Sequence, residues 1–495
     1  MSEQARMGLR STGLVVFSGR VISAFTGLLF TVMAAHWLVP SQLGTWEVII
    51  DLVTFSSYPI GTVAYWATRD VARGRMVGRT ALAMGGVLSL VGIGIYFAFM
   101  VYTYNSLAQS VAPFLLGVLL VPLSYWSGVA NSTVQGHRPG VYGYSLVISE
   151  VAKLIVAYET LYVFHLAIEG VILALMASYL VQSVFSTYMV RATASEPFDS
   201  AQAKRWSKLF WLPAISYLPS IIGISDTYVA SLAFGTTVTG YYQVAFIVSS
   251  VVGYSSALAF SLYPILLRGG ERKLTSLTMD FALLFSIPLA AGGLVLASQV
   301  LFLFRSTYVT GAFGLQILAV TFVFVTISGI IDQTLMGTEK VDEREKVSFW
   351  ALARSNLLFV PAVNIAASVT YIVTMYLGLW YAFSHGYSFS TAVGVWGVAQ
   401  LIATTFFMVV KARRASRITR VLPSRSSLYY TLSAAAMGAV VYLIAGPLAD
   451  QSLTTLAYGL RLLVIVAAGA AVYFGLVYAL DREFRTLARA FLRML

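Results

Sequence analysis

Long apolar runs divided by short polar breaks dominate the chain. A helix that crosses a membrane needs about 20 consecutive apolar residues. Runs of that kind fall at 12–36, 43–66, 80–103, 112–132, 142–164, 168–190, 209–234, 241–265, 278–304, 311–336, 349–379, 389–410, 428–449 and 457–480. The pattern predicts fourteen helices. The run at 349–379 is long enough to include a stretch lying along the membrane surface. The first run does not read as a cleaved signal peptide: it is too long, it contains Arg20, and no small-residue cleavage site follows it.

Composition agrees with a membrane protein. Hydrophobic residues make up 58% of 495 positions and charged residues 11%, against roughly 25% charged in soluble proteins. Mean hydropathy is +0.80. These values exclude a soluble enzyme, a disordered chain and a nucleic-acid-binding domain. The chain has no cysteine, which removes disulfides, thiolate nucleophiles and Cys-ligated metals. The breaks hold no Walker A pattern, no dinucleotide-binding glycine motif and no HExxH, and the four histidines, His36, His137, His165 and His385, lie on separate segments. No catalytic residue, metal site or cofactor is therefore expected.

Charge placement predicts orientation. Of the 32 Lys and Arg, 27 fall in the termini and alternate breaks, and the opposite breaks carry only Arg305. By the positive-inside rule both termini are expected in the cytoplasm of a multi-pass plasma-membrane protein, with short outer loops. The basic 411–425 segment is attributable to this topology alone or to binding of anionic lipid headgroups. Asn131-Ser132-Thr133 has the form of a glycosylation site but falls at the cytoplasmic end of its helix, where it would be silent.

An internal repeat is visible. Gly44-Thr45-Trp46-Glu47-Val48 and Gly240-Tyr241-Tyr242-Gln243-Val244 share a Gly-x-aromatic-Glu/Gln-Val pattern. Six helices separate them, so both copies run the same way, as in a parallel repeat of six helices. The expected layout is an N-lobe at 1–193, a cytoplasmic linker at 194–207, a C-lobe at 208–411, a basic loop at 412–427, and two further helices with a basic tail at 428–495. Prolines within the runs, such as Pro59, Pro122, Pro219 and Pro288, free backbone carbonyls and bend helices, which suits either a transporter or mere packing.

Two stretches resemble a known family. One is Ser18 to Glu47, with Ala34-Ala35-His36-Trp37-Leu38-Val39-Pro40-Ser41-Gln42-Leu43-Gly44. The other runs from Ser225-Asp226-Thr227-Tyr228 through Gly240-Tyr241-Tyr242-Gln243-Val244-Ala245 to Tyr263-Pro264. They are similar to the polysaccharide and lipid-linked oligosaccharide flippases, the O-antigen-flippase-like branch of the multidrug/oligosaccharidyl-lipid/polysaccharide exporter superfamily. The resemblance implies a V-shaped, two-lobed, all-α transporter. It would carry a polyprenyl-phosphate-linked glycan to the outer leaflet without ATP of its own. Its partners would be that glycolipid and membrane lipids, with no nucleic acid and a monomer as the expected state. A multidrug or small-cation antiporter of the same fold is the alternative, and a membrane glycan polymerase, ligase or glycosyltransferase a more distant one.

Charges within the runs are the candidate site residues, because a charge at the bilayer centre costs about 3 kcal/mol or more unless paired or wetted. Arg20 and Arg354 are candidates for a cargo phosphate, since guanidinium matches phosphate oxygens. Asn364 is a further candidate for substrate or Na⁺. Glu47 and Asp51, four apart on one helix face, suggest a cation site, a counter-charge to Arg20, or a structural Arg20–Asp51 bond. Asp226 stands where the family often carries an acid, and it could couple transport to H⁺ or Na⁺, or instead make a structural hydrogen bond; the membrane potential is another possible drive. Glu150 and Lys153, three apart, are expected to neutralise each other. Aromatic residues such as Tyr217, Tyr228, Tyr241, Tyr242 and Tyr254 suit interfacial belts or sugar stacking.

Overall fold

The computed structural model describes residues 19, 22–23, 25–107, 110–256, 274–339, 354–418, 424–448, 455–481 and 484–485. The described residues are helical with no strand, and they divide into two compact units, Met1–Gly240 and Tyr241–Leu495.

Unit 1 opens with α1 (Phe25–Trp37), followed by α2 (Pro40–Ala72), α3 (Gly78–Leu107), α4 (Val111–His137) and α5 (Pro139–Tyr158). Pro40 starts α2 at its first position, where the missing N–H costs nothing. The Gln42 side chain turns back to accept the Val39 N–H at 3.1 Å. A single π turn, Glu159–Val163, ends α5, and α6 spans Ile168–Met189. Thus the run expected at 142–164 is an α-helix that changes pitch near its end. The segment expected as a polar linker contains a short helix, α7 (Ser200–Lys208), capped by Asp199, whose carboxylate accepts the Ala201 and Gln202 N–H groups. The run 209–234, expected as one helix, is two: α8 (Trp211–Gly223) and α9 (Ser225–Phe234). The break falls at Ile224, just after Gly223 and one turn beyond Pro219.

Close packing in unit 1 rests on small residues at helix crossings. Gly44 in α2 lies against the Thr236 carbonyl, and Gly240 lies against the Pro40 carbonyl, so that a Cβ on either glycine would overlap a backbone oxygen. A polar chain, Asn131–Ser127–Gln182 with Ser186 closing on Asn131, ties α4 to α6 at 2.7–3.1 Å. That contact gives the Asn131 side chain a structural task inside the bundle.

α10 (Thr236–Gly253) leads into unit 2. There follow α11 (Leu274–Phe304), a 3-10 segment (Ser306–Gly311), α12 (Ala312–Gly337), α13 (Asn356–Ser384), α14 (Phe389–Ala415), α15 (Ser426–Leu448) and α16 (Thr455–Leu480). Of the run expected at 349–379, residues 349–353 lie outside the described residues; α13 spans Asn356–Ser384 and so continues past the expected end. Within unit 2, Tyr242 stacks on Trp396 with centroids 3.8 Å apart, while Trp396 Nε1 donates to Tyr371 Oη at 2.8 Å and Tyr242 Oη to Gln400 at 2.9 Å. This cluster pins α10, α13 and α14 together. α15 and α16 pack on each other and on α11, sharing an apolar core that includes Leu284, Met437, Ile465 and Tyr473.

Among the described residues ten helices are long and apolar enough to cross a membrane: α2, α3, α4, α6, α11, the 306–337 segment, α13, α14, α15 and α16. The chain is a multi-pass membrane protein.

Candidate functional site

Three carboxylates of unit 1 converge where α2 passes the break between α8 and α9. Asp51 is 7% exposed and Asp226 8%, and both Asp226 and Glu47 lie close enough to act electrostatically on Asp51. The chain gathers them simply. Glu47 and Asp51 are one turn apart on α2, and Asp226 is the second residue of α9. Asp51 accepts a short hydrogen bond from the Thr227 hydroxyl and another from the Tyr228 N–H. The Thr227 N–H donates to Asp226 Oδ1 at 2.8 Å. The first turn of a helix leaves its N–H groups without intrahelical partners and carries partial positive charge. The interruption of the 209–234 run at Ile224 therefore creates donors inside the unit, and Asp51 and Asp226 use them. That arrangement offsets only part of the cost of burying these carboxylates.

Asp51 is thus tied to α9. Arg20, its other candidate partner and a candidate phosphate ligand, lies outside the described residues. Two residues that follow it in sequence are placed: Ser23 Oγ, just before α1, and Thr26 Oγ1, on α1, donate to Glu150 at 3.3 and 2.8 Å. Glu150 also pairs with Lys153 at 2.7 Å, and the Lys153 ammonium stands 5.1 Å from the Phe30 ring centroid. The pair does more than neutralise charge along α5, because it also fastens α5 to α1.

In unit 2, Asn364 faces a buried ion pair. Lys411 Nζ donates to Asp332 at 2.9 Å and to Asn364 Oδ1 at 3.1 Å, and Asn364 Nδ2 donates to Asp332 at 3.3 Å. Three helices, α12, α13 and α14, each supply one member. Asp332 Oδ1 is buried with no hydrogen-bond partner. Arg354 does not join this group. Its side chain is exposed just before α13, and its carbonyl accepts a 2.7 Å bond from the Arg414 guanidinium.

Two residues carry more than their sequence positions suggested. Lys411 counts with the basic loop by position, yet it lies within α14 and is 3% exposed. Asp70 falls past the expected end of its helix at 66, but α2 continues to Ala72 and buries it to 1% exposure. Asp70 accepts from the Gln202 side chain, from Trp206 Nε1 at 2.9 Å and from Arg75 at 3.3 Å. It docks α7 onto α2. A single acid among Arg69, Arg73, Arg75 and Arg79 was the available signal.

No family model matches the chain, and no curated protein matches it. Solved structures do share its fold. The lipid II flippase MurJ in an inward closed conformation matches with a TM-score of 0.69 at 15% identity, over 95% of this chain and 99% of that one. An inward-facing multidrug resistance MATE family transporter of the MOP superfamily matches with a TM-score of 0.56 at 14% identity, over 80% and 95%. MATE in its straight conformation gives 0.53 at 15%, over 83% and 96%. The chain shares the all-helical polytopic fold of these solved structures.

Proposed function

We propose that this chain is a flippase of the O-antigen-flippase-like branch. It moves a polyprenyl-phosphate-linked oligosaccharide or polysaccharide precursor from the cytoplasmic to the outer leaflet of the plasma membrane by alternating access. The observation that carries this reading is coverage. The lipid II flippase matches 95% of this chain and 99% of its own, whereas the two MATE structures are covered nearly whole but leave about a fifth of this chain unmatched. The reaction is translocation and not bond chemistry, so the protein is not an enzyme. Its termini face the cytoplasm, in keeping with the distribution of Lys and Arg.

Glu47, Asp51 and Asp226 form the coupling locus in this reading. A carboxylate held at the start of a half-helix exchanges charge with a proton or cation and alters its hold on that helix. Arg20 and Arg354 meet the cargo phosphate. The same three acids favour the alternative, a multidrug or small-cation antiporter of this fold.

Deleting the gene and profiling lipid-linked and surface glycans by mass spectrometry separates the two. The flippase reading expects lipid-linked glycan to accumulate on the cytoplasmic face while surface polymer is lost. Unchanged glycans in a strain without a redundant homologue overturn it in favour of the antiporter.

A further inference from the structure

Three unusual features of unit 1 meet at one point, at the helix ends opposite the arginine-rich end of α2. The first is the π turn at Glu159–Val163, closed by the Phe164 N–H donating to the Glu159 carbonyl at 2.9 Å. Such turns often mark functional positions. The second is His165, the one non-glycine among the described residues with left-handed backbone, at φ 55°. That conformation is uncommon outside glycine and persists where the surroundings impose it. The third is a nest of aromatic rings brought together by the other two. Tyr158 and Tyr162 stack at 5.5 Å with planes 15° apart, Trp37 meets Tyr162 edge-on at 5.3 Å, and the His165 ring lies 5.0 Å from Trp37.

The nest is open. Tyr158 is 55% and Trp37 36% exposed, His165 is exposed beside Trp37, and His36 and Glu159, each next in sequence to one of these rings, are exposed as well. Belt aromatics at a membrane interface need only sit at headgroup depth. They do not need rings from two segments packed edge-on against one another, nor a left-handed residue to set a histidine ring beside a tryptophan. Flat aromatic faces with polar groups at their edges are instead suited to a pyranose ring: its C–H face packs on the ring, and its hydroxyls bond to imidazole and carboxylate.

We propose that Trp37 and Tyr158, with the exposed His36, Glu159 and His165, form a binding platform for a sugar ring of the translocated glycan at the outer end of unit 1. The proposal rests on the glycan-flippase reading and places there a contact for the headgroup as it emerges.

The test uses the full chain in lipid nanodiscs. The probe is the oligosaccharide released by mild acid from the lipid-linked pool of the native host, with maltoheptaose as an unrelated control. In saturation-transfer NMR, irradiating aromatic protons should saturate sugar C–H protons of the released glycan and not those of maltoheptaose. Trp37→Ala and Tyr158→Ala should each raise Kd at least tenfold, and Trp37→Phe, which keeps a flat ring, should recover most of the affinity. Absence of transfer in the unaltered protein overturns the platform without recourse to any variant. Unchanged affinity in Trp37→Ala and Tyr158→Ala overturns it as well. In either case the flippase reading stands or falls separately, on the accumulation of lipid-linked glycan in the deletion strain.

Discussion

Lys411 shows how far one side chain's surroundings can depart from what its neighbours in sequence suggest. It precedes Arg413, Arg414 and Arg417, yet its ammonium is buried against Asp332 and Asn364. A buried pair of this kind adds little net stability, but removing one partner strands the other's charge, at a cost of about 3–5 kcal/mol. Lys411→Met should therefore lower the thermal unfolding temperature of the purified protein markedly, and adding Asp332→Leu should recover most of the loss. Equal destabilisation by the single and double variants would show that the pair is not the cause. Gly44 makes a prediction of the same scale. A methyl group there meets backbone instead of a yielding side chain, so Gly44→Ala should cost at the upper end of the ~1–3 kcal/mol overpacking range. Size-exclusion chromatography of the variant should show less folded protein, while Ala at Gly86, where the space is open, should leave the yield unchanged.

Among the elements, α7 and α9 are the ones the apolar pattern conceals. Hydropathy picks out long apolar runs, and α7 is a nine-residue helix with one buried and one exposed face. It buries Trp206 and Gln202 on Asp70 and exposes Lys204 and Lys208. Asp70→Ala removes the acceptor from two buried donors, each worth about 1–3 kcal/mol when left unmade. It should free α7, shift Trp206 emission to the red and open residues 195–208 to protease; an unchanged proteolysis pattern would mean that α7 docks by other contacts. The break between α8 and α9 escapes hydropathy for another reason, since a chain may stay apolar straight through an interruption in its hydrogen bonding. The acids Glu47, Asp51 and Asp226 were legible as isolated charges in apolar runs. Their convergence was not, because it depends on how α2 packs against α9. Asp51→Asn retains an acceptor for Thr227 and Tyr228 but removes the charge. Transport should then become insensitive to the ion gradient with the fold intact, as read in vesicles with pH or Na⁺ imposed on one side. A variant that keeps its full ion dependence would remove Asp51 from the coupling.

For the molecule as a whole, the apolar runs announced a polytopic helical bundle, and the spacing of two short glycine-aromatic segments suggested a repeat. The structure adds a relation between those segments that spacing alone cannot express. Gly44 lies on the carbonyl of Thr236, and Gly240 lies on the carbonyl of Pro40. Each partner carbonyl stands four residues before the other glycine, so the contact is the same whichever segment is read first. A methyl group at either glycine would strike the backbone of the other segment, which ties residues 196 positions apart into a single packing unit.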